Sequence, residues 1–156
     1  MIKIVLAVVL AASVLFSYEM DYTKDTKCLV RHLKVYKDPK WVSKIELKNG
    51  KKVFFSSPKA MIEFYHRPGK WFDVGVSSEN DFKDILVTDF ETLKPINAKG
   101  AFFVYGSNMT SPGGDDLPAF ATYASAEKYS KKHNGMRIMH FNDISDALIR
   151  LLNGRI

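Results

Sequence analysis

Two stretches of the chain repeat one pattern, and this repetition limits the folds that the sequence can adopt. FFSSPKAMIEFYHRPG (residues 54–69) and FATYASAEKYSKKHNG (residues 120–135) each run from a strand through a small-residue turn into a helix, a basic stop and a glycine. The two stretches are further apart in the chain than neighbouring repeats of a solenoid are. This spacing indicates two related lobes and not an array of repeats. The 156 residues are enough to bury a core around such a pair.

Strand and turn signals around each repeat complete the same order of elements. In the first half we predict strands over residues 42–47, 52–56 and 84–90, with a hairpin at Asn49-Gly50 and a helix capped by Ser57. In the second half we predict strands over residues 101–107, 118–123 and 136–141, and a helix capped by Ser125. The closing helix has Ile144, Ala147, Leu148 and Leu151 on its apolar face. The predicted fold class is α+β, with two small β-β-α-β lobes related by internal duplication, plus a C-terminal helix.

The N-terminal residues predict export. Lys3 precedes an apolar run over residues 4–16, which fits the hydrophobic region of a signal peptide and is short for a membrane span of about 20 residues. We expect cleavage after Ser17 and an exported mature form without a membrane span, with a retained N-terminal anchor as the alternative. The predicted organisation is a signal peptide (1–17), a polar segment (18–27), a first lobe (28–92) and a second lobe with the closing helix (93–156), with the linker at residues 91–100.

The charge pattern argues against nucleic-acid binding. The formal net charge is +6, but the lysines are spread over most of the chain and form no dense block. Such a distribution is typical of a solvated lysine-rich surface. No RNA- or DNA-binding motif accompanies it, so nucleic acid is not a predicted partner.

Cys28 is the only cysteine, and His32 follows it four residues later. In an exported chain a single cysteine cannot form an intramolecular disulfide, so Cys28 is buried and inert, a metal ligand, or paired with a thiol of another chain. As a nucleophile–base pair, Cys28 and His32 lack a third orienting group and an oxyanion hole. The motifs HExxH and GxSxG are absent as well, and Asp115 and Asp116 are adjacent and point apart in extended backbone. We therefore expect no enzymatic activity.

A series of loose motifs in a fixed order resembles one known family. AFFVYGS, SPGGDDLPAF, SAEKYSKKHNG and IMHFNDI are similar to the C-terminal half of the NosL family, accessory copper proteins of nitrous oxide reductase maturation. KCLVRHLKVYKDPKWVSKIELKNGKKVFFSS resembles the family's Cys-x-x-Cys-Gly-Met opening, its Pro-x-Trp and its hairpin. The resemblance covers Cys28 to about Asp143. It implies a periplasmic protein of two β-β-α-β lobes that binds Cu(I) and hands it to a metalloenzyme assembly.

The chain departs from the family pattern at the metal-binding positions. Cys28 matches the first cysteine, but Arg31, His32 and Leu33 stand where the family has its second cysteine, glycine and methionine. Residues 111–114 read Ser-Pro-Gly-Gly where the family reads Gly-Pro-Met-Gly, and Ser56 stands where the family often has aspartate. The departures favour a shared fold and argue against an unchanged function.

Cu(I) prefers thiolate and thioether ligands and accepts imidazole, which leaves four candidate ligands. Cys28 would be the main ligand, with Met109 in the glycine-rich loop and His32 in place of the missing groups, and Met61 in reserve. Met61 lies at helical spacing beside other apolar residues, so core packing is the alternative for it.

Two functions remain open at this point. The first is a periplasmic copper-binding or copper-transfer protein that serves a metalloenzyme such as nitrous oxide reductase or its assembly machinery. The second is a NosL-like domain that has lost metal binding and acts as a protein-interaction module, with Trp41, Tyr65 and Trp71 as candidate contact residues.

Overall fold

The computed structural model describes residues 17–154, so all but the last residue of the predicted signal peptide lies outside the described range. The strands are β1 (Ser43–Leu47), β2 (Lys52–Phe55), β3 (Phe82–Thr88), β4 (Pro95–Asn97), β5 (Phe102–Tyr105), β6 (Ala119–Phe120) and β7 (Arg137–His140). The α-helices are α1 (Pro58–His66), α2 (Tyr123–Lys132) and α3 (Asp146–Leu152). Within residues 17–154, no helix has the length and apolar character that a bilayer crossing requires.

Two antiparallel sheets repeat the same strand order. The first sheet has the strand order β2-β1-β3-β4 and the second has the order β6-β5-β7. In the first sheet β1 lies between β2 and β3, and in the second β5 lies in the same way between β6 and β7. The element order β1-β2-α1-β3 recurs as β5-β6-α2-β7, which confirms the predicted α+β class with two β-β-α-β lobes and a C-terminal helix. β4 lies within the segment predicted as the linker and pairs with β3 through Thr88↔Pro95, so this part of the linker extends the first sheet.

Local signals in the first lobe have the predicted effect. β1 and β2 form a hairpin with Glu46 opposite Lys52, and Gly50 at its turn has a φ of +86°, in the left-handed region that glycine tolerates. Ser57 caps α1, because its Oγ accepts the Ala60 N–H at 3.0 Å while Pro58 occupies the first helical position.

Two predictions about the other helices were wrong. Thr122 caps α2, three residues before the predicted Ser125, because Thr122 has the extended backbone of a cap and its Oγ1 accepts the Ser125 N–H at 3.2 Å. In α3 the fully buried residue is Ile149, whereas Ala147 and Leu151 are exposed. The predicted apolar face of α3 was counted from Ile144. Because Ile144 precedes the helix, its position does not determine which face of the helix points inward.

The two lobes share one main hydrophobic core. Phe103, Ala119 and Met139 are on one face of the second sheet and belong to the same buried cluster as Ile45 and Phe55 of the first sheet. The opposite face of the second sheet packs against α2, in a smaller cluster of Val104, Phe120, Ala126 and Tyr129. The second sheet is therefore buried on both faces, which explains the continuous apolar run of β5.

The N-terminal segment over residues 17–22 covers the outer face of the first sheet. Lys44 of β1 points to this face, and its side chain is only 3% exposed. Its Nζ donates to the Glu19 carbonyl oxygen at 2.6 Å and to Asp21 Oδ1 at 2.8 Å. Burial raises the pKa of Asp21, but hydrogen bonds from Lys44 and Lys52 outweigh it and lower the pKa to about 2. Asp21 thus fastens this segment to the sheet.

Asp21→Asn should lower the free energy of unfolding by about 1–2 kcal/mol, because the buried Lys44 ammonium loses its nearest negative charge. The change in urea midpoint measures this effect. Since the folded pKa of Asp21 lies below the ordinary 3.8, its contribution is present above that pH and fades as the pH falls toward 2. Asp25→Asn, at an exposed carboxylate paired with Lys34, is the matched control and should leave the midpoint unchanged.

Candidate metal centre

Cys28 lies on a tight turn at the start of the first lobe. The Cys28 N–H donates to the Leu33 carbonyl oxygen at 2.8 Å, and the His32 N–H donates to the Cys28 carbonyl oxygen at 2.9 Å. The Arg31 N–H donates to the Cys28 Sγ at 3.2 Å. The turn therefore places a backbone N–H donor against the sulfur, and proteins bind metals through the thiolate form of cysteine.

The thiol of Cys28 is closed off from solvent. Cys28 is 1% exposed and belongs to the main hydrophobic core. It is a free thiol. A metal ion can reach the sulfur only if the turn over residues 28–33 opens.

The other predicted ligands lie in three different environments. His32 is on the same turn, in the left-handed conformation (φ +58°), and is exposed to solvent. Met61 is fully buried in α1 and is part of the same core as Cys28. Met109 is 41% exposed in the loop after β5. Among residues 17–154, no group of three or more His, Cys, Asp or Glu side chains has the geometry to hold a metal ion.

The glycine-rich loop packs directly against the Cys28 turn. A Cβ added at Gly113 would lie 3.5 Å from Leu33 Cδ1 and 3.7 Å from Arg31 Cγ. The two segments that depart from the family pattern are therefore neighbours in space. A small pocket of about 80 Å³ lies at this junction, lined in part by Leu33, Pro112 and Ser56, and the buried Ser56 hydroxyl has no hydrogen-bond partner within the described part of the chain.

A buried carboxylate ties the loop to the turn and to α1. Asp115 has a side chain only 2% exposed and accepts two hydrogen bonds from Arg31, Nε to Oδ2 and Nη2 to Oδ1, both at 3.1 Å. Lys59 Nζ lies 2.9 Å from Asp115 Oδ1, and Ser57 Oγ donates to Asp115 Oδ2 at 2.8 Å. Two cations and a hydroxyl thus surround one buried anion.

The C-terminal end of the chain completes this charge cluster. Arg31 Nη2 also donates to Asn153 Oδ1 at 3.0 Å and to Glu63 Oε2 at 3.4 Å, and Asn153 Nδ2 donates to Glu63 Oε2 at 3.1 Å. Lys59 Nζ donates to the Leu152 carbonyl oxygen at 3.4 Å. The cluster of Arg31, Lys59, Glu63 and Asp115 carries no net charge, which makes its burial tolerable.

Burial raises the pKa of Asp115, but hydrogen bonds from Arg31, Lys59 and Ser57 outweigh it and hold the pKa below its ordinary value. Burial also raises the pKa of the adjacent Asp116, which stays above its ordinary value although the N–H groups of Gly106 and Leu117 donate to its carboxylate. Adjacent carboxylates therefore have opposite pKa shifts, because Arg31 and Lys59 bond directly to Asp115, whereas Lys59 lowers the pKa of Asp116 only through a longer-range interaction that burial outweighs.

Sequence reasoning missed the roles of Arg31 and Asp115. The sequence predicts Arg31 only as a replacement for a family cysteine, and Asp115 only as one of two adjacent carboxylates that point apart. The two residues are 84 positions apart, so no local pattern connects them. Two signals for this ion pair were present in the sequence. Arg31 closely follows the sole cysteine, and the acidic residues Asp115 and Asp116 follow the two glycines of the loop.

Asp115→Asn should lower the free energy of unfolding by about 3 kcal/mol, because it leaves Arg31 and Lys59 partly buried without their shared anion. Urea unfolding at pH 7 measures the loss. Glu127→Gln removes one carboxylate from the exposed Lys131–Glu127 pair and should leave the midpoint unchanged. Equal, small effects of both substitutions would contradict a structural role for the cluster.

The pH dependence of stability in wild type and in Asp115→Asn tests the charge state of Asp115. Because the folded pKa of Asp115 is depressed, its stabilising contribution is present above 3.8 and is lost as the pH falls through the folded pKa. The difference in unfolding free energy between wild type and Asp115→Asn should therefore be largest near neutral pH and smaller at pH 3. A difference that grows on acidification would contradict this assignment.

Comparisons with known proteins agree with the geometry of the fold. The model of the NosL family matches residues 19–149. The crystal structure of the copper chaperone NosL from Shewanella denitrificans is similar, with 19% sequence identity, a TM-score of 0.69, and coverage of 84% of this chain and 98% of that one. Among curated proteins none matches the chain significantly. Since the family model spans most of the sequence, the predicted family is confirmed: the chain belongs to the NosL family.

Proposed function

We propose that this protein binds Cu(I) through the thiolate of Cys28 and carries it as cargo to a metalloenzyme or its assembly machinery. The observation that carries the proposal is the Cys28 turn, in which the only thiol of the chain accepts the Arg31 N–H and against which the glycine-rich loop packs at Gly113. The family membership and the structural similarity to a copper chaperone support it.

The closed turn suggests how cargo is loaded and released. Leu29, Val30 and Arg31 are half-buried and His32 and Leu33 exposed, so opening this turn costs less buried surface than moving a strand. Binding would release the thiol proton to solvent and replace the Arg31 N–H as the partner of the sulfur. His32 lies on this turn and Met109 is exposed in the loop after β5, and we assign one of them as the second ligand once the turn is open.

Met61 is the least suitable of the predicted ligands. Its side chain is fully buried in the main hydrophobic core, and a metal ion there would have to displace apolar neighbours. We propose a site of Cys28 with His32 or Met109 and assign Met61 to packing.

We further propose that the protein is exported and acts in the periplasm, with nitrous oxide reductase as one possible receiver. This rests on the N-terminal sequence and on the family resemblance. No catalytic step is assigned to the protein, whose role is to bind and transfer a metal ion.

One observation favours a second candidate function, an interaction module without metal. Cys28 is in the core, and the Arg31–Asp115 ion pair lies where the resemblance places additional ligands. The aromatic residues predicted as contact residues do not form an exposed surface, however: Trp41 packs on Phe90 at 5.2 Å between ring centroids and Trp71 on Phe64 at 5.7 Å. Tyr65 packs on Phe141 at 5.0 Å. A metal-free module would need a different surface.

An anaerobic Cu(I) titration of residues 18–156 against a chromogenic chelator separates the two functions. Wild type should take up one equivalent, and Cys28→Ser should abolish this uptake, because serine keeps the size of the side chain and removes the soft ligand. Met109→Leu should weaken binding by about tenfold if its thioether completes the site.

Met136→Leu is the matched control, because Met136 is also an exposed methionine but lies outside the proposed site. Circular dichroism of each variant checks that the fold is retained. If wild type and Cys28→Ser compete equally poorly with the chelator, the copper proposal is wrong and the interaction module remains.

A further inference from the structure

A cleft on the opposite side of the second sheet from the main core has features of a binding site. Its volume is about 240 Å³, and it is lined by Lys40, Phe90, Glu91, Phe120, Ser125, Lys128, Tyr129, Lys132 and His133. Lys40, Phe90 and Glu91 come from the first lobe, and the other walls come from β6, from α2 and from His133 directly after α2, so the cleft is formed at the junction of the lobes. None of the candidate copper ligands lines it.

The floor of the cleft is a triangle of aromatic rings. Phe90 lies 5.8 Å from Phe120 and 5.3 Å from Tyr129, and Phe120 lies 5.0 Å from Tyr129, measured between ring centroids. The Phe90 N–H donates to the Ala119 carbonyl oxygen at 2.8 Å, which fixes the triangle to the second sheet. The floor is therefore apolar. Phe120 and Tyr129 are buried and Phe90 is half-buried, so a ligand ring would pack edge-to-face mainly on Phe90.

The rim of the cleft is positively charged. Lys40, Lys128 and Lys132 face one carboxylate, Glu91, whose distance to Lys128 is 4.0 Å at the solvent-exposed surface. Lys40 Nζ lies 5.1 Å from the centre of the Phe90 ring. Within residues 17–154, neither Lys40 nor Lys132 takes part in a salt bridge. The lining thus holds three lysines and one carboxylate, although Lys40 also interacts electrostatically with Asp38.

Size and charge together define the ligand. Pockets for drug-sized molecules and cofactors have volumes of roughly 300–1,000 Å³, so this smaller, open cleft fits a single ring-sized group. A ring on the aromatic floor would place flanking acidic groups beside the lysines. Aromatic anchors with surrounding charges of this kind are typical of protein interfaces.

We propose that this cleft, with its Phe90–Phe120–Tyr129 floor and its Lys40–Lys132 rim, is a docking site for an acidic segment of a partner protein that inserts one aromatic side chain. The site is separate from the Cys28 turn, and docking requires no bound metal. The charged rim speeds the encounter with an acidic partner, while the ring provides the specific contact.

The test is a titration of metal-free, ¹⁵N-labelled residues 18–156 with synthetic peptides, followed by amide chemical shifts. The probe is acetyl-Asp-Glu-Phe-Asp-Glu-amide, and its controls are acetyl-Asn-Gln-Phe-Asn-Gln-amide and acetyl-Asp-Glu-Ala-Asp-Glu-amide. The acidic phenylalanine peptide should shift the amides around Phe90, Phe120 and Tyr129 and should bind at least about tenfold more tightly than either control.

Substitutions within one helix provide the matched comparison. Lys132→Gln should weaken binding by about two- to fivefold, and Lys40→Gln with Lys132→Gln by about tenfold, because each removes one rim charge. Lys131→Gln makes the same change at the neighbouring residue, which pairs with Glu127 outside the cleft and should leave the affinity unchanged.

Three results would overturn the proposal. Equal affinity for the acidic and neutral peptides would exclude the charged rim as the recognition element. Equal losses in Lys131→Gln and Lys132→Gln would show nonspecific attraction to a basic surface. If phenylacetate alone binds at the same amides as tightly as the acidic phenylalanine peptide, the occupant is a small aromatic acid and not a protein segment.

Discussion

The buried carboxylate of Asp115 connects parts of the chain that are far apart in sequence. Arg31 on the Cys28 turn, Ser57 and Lys59 at the start of α1, and the glycine-rich loop all meet at this one group. Arg31 and Lys59 extend the connection to the end of α3 through Asn153 and the Leu152 carbonyl oxygen. A charge in this position is tolerated only when its partners are present, so the cluster forces the turn, the loop and both helices into one arrangement.

This arrangement determines what Cys28 can do. The ion pair between Arg31 and Asp115 holds the turn closed over a thiol that is already in the core. The proposed copper binding through Cys28 would have to open the turn, and part of the binding free energy would be spent on that step. The result would be a weaker, more reversible site than a preformed one, which suits a protein that has to release its cargo.

The lobes are joined on two sides of the second sheet, and the two sides differ in chemistry. One side carries Phe103 and Met139 into the main core and excludes water. The other carries the Phe90–Phe120–Tyr129 triangle beneath a rim of lysines, with Phe90 half-buried and the other two rings buried. The Cys28 turn and the cleft therefore lie in different parts of the fold, and the loop after β5 contacts the cleft residues Tyr129 and His133 through Ser107 and Asn108.

The sequence by itself determined the α+β class, the repeated β-β-α-β order, the hairpin at Gly50 and the Ser57 cap, because these depend on residues close together in the chain. Its loose motifs, taken in order, also identified the family. Only the tertiary structure showed that Cys28 is closed off, that Ile149 is the inward residue of α3, and that Arg31 and Asp115 meet. Burial and long-range ion pairs arise when distant segments pack together, and no local pattern of side chains encodes which charges will face each other.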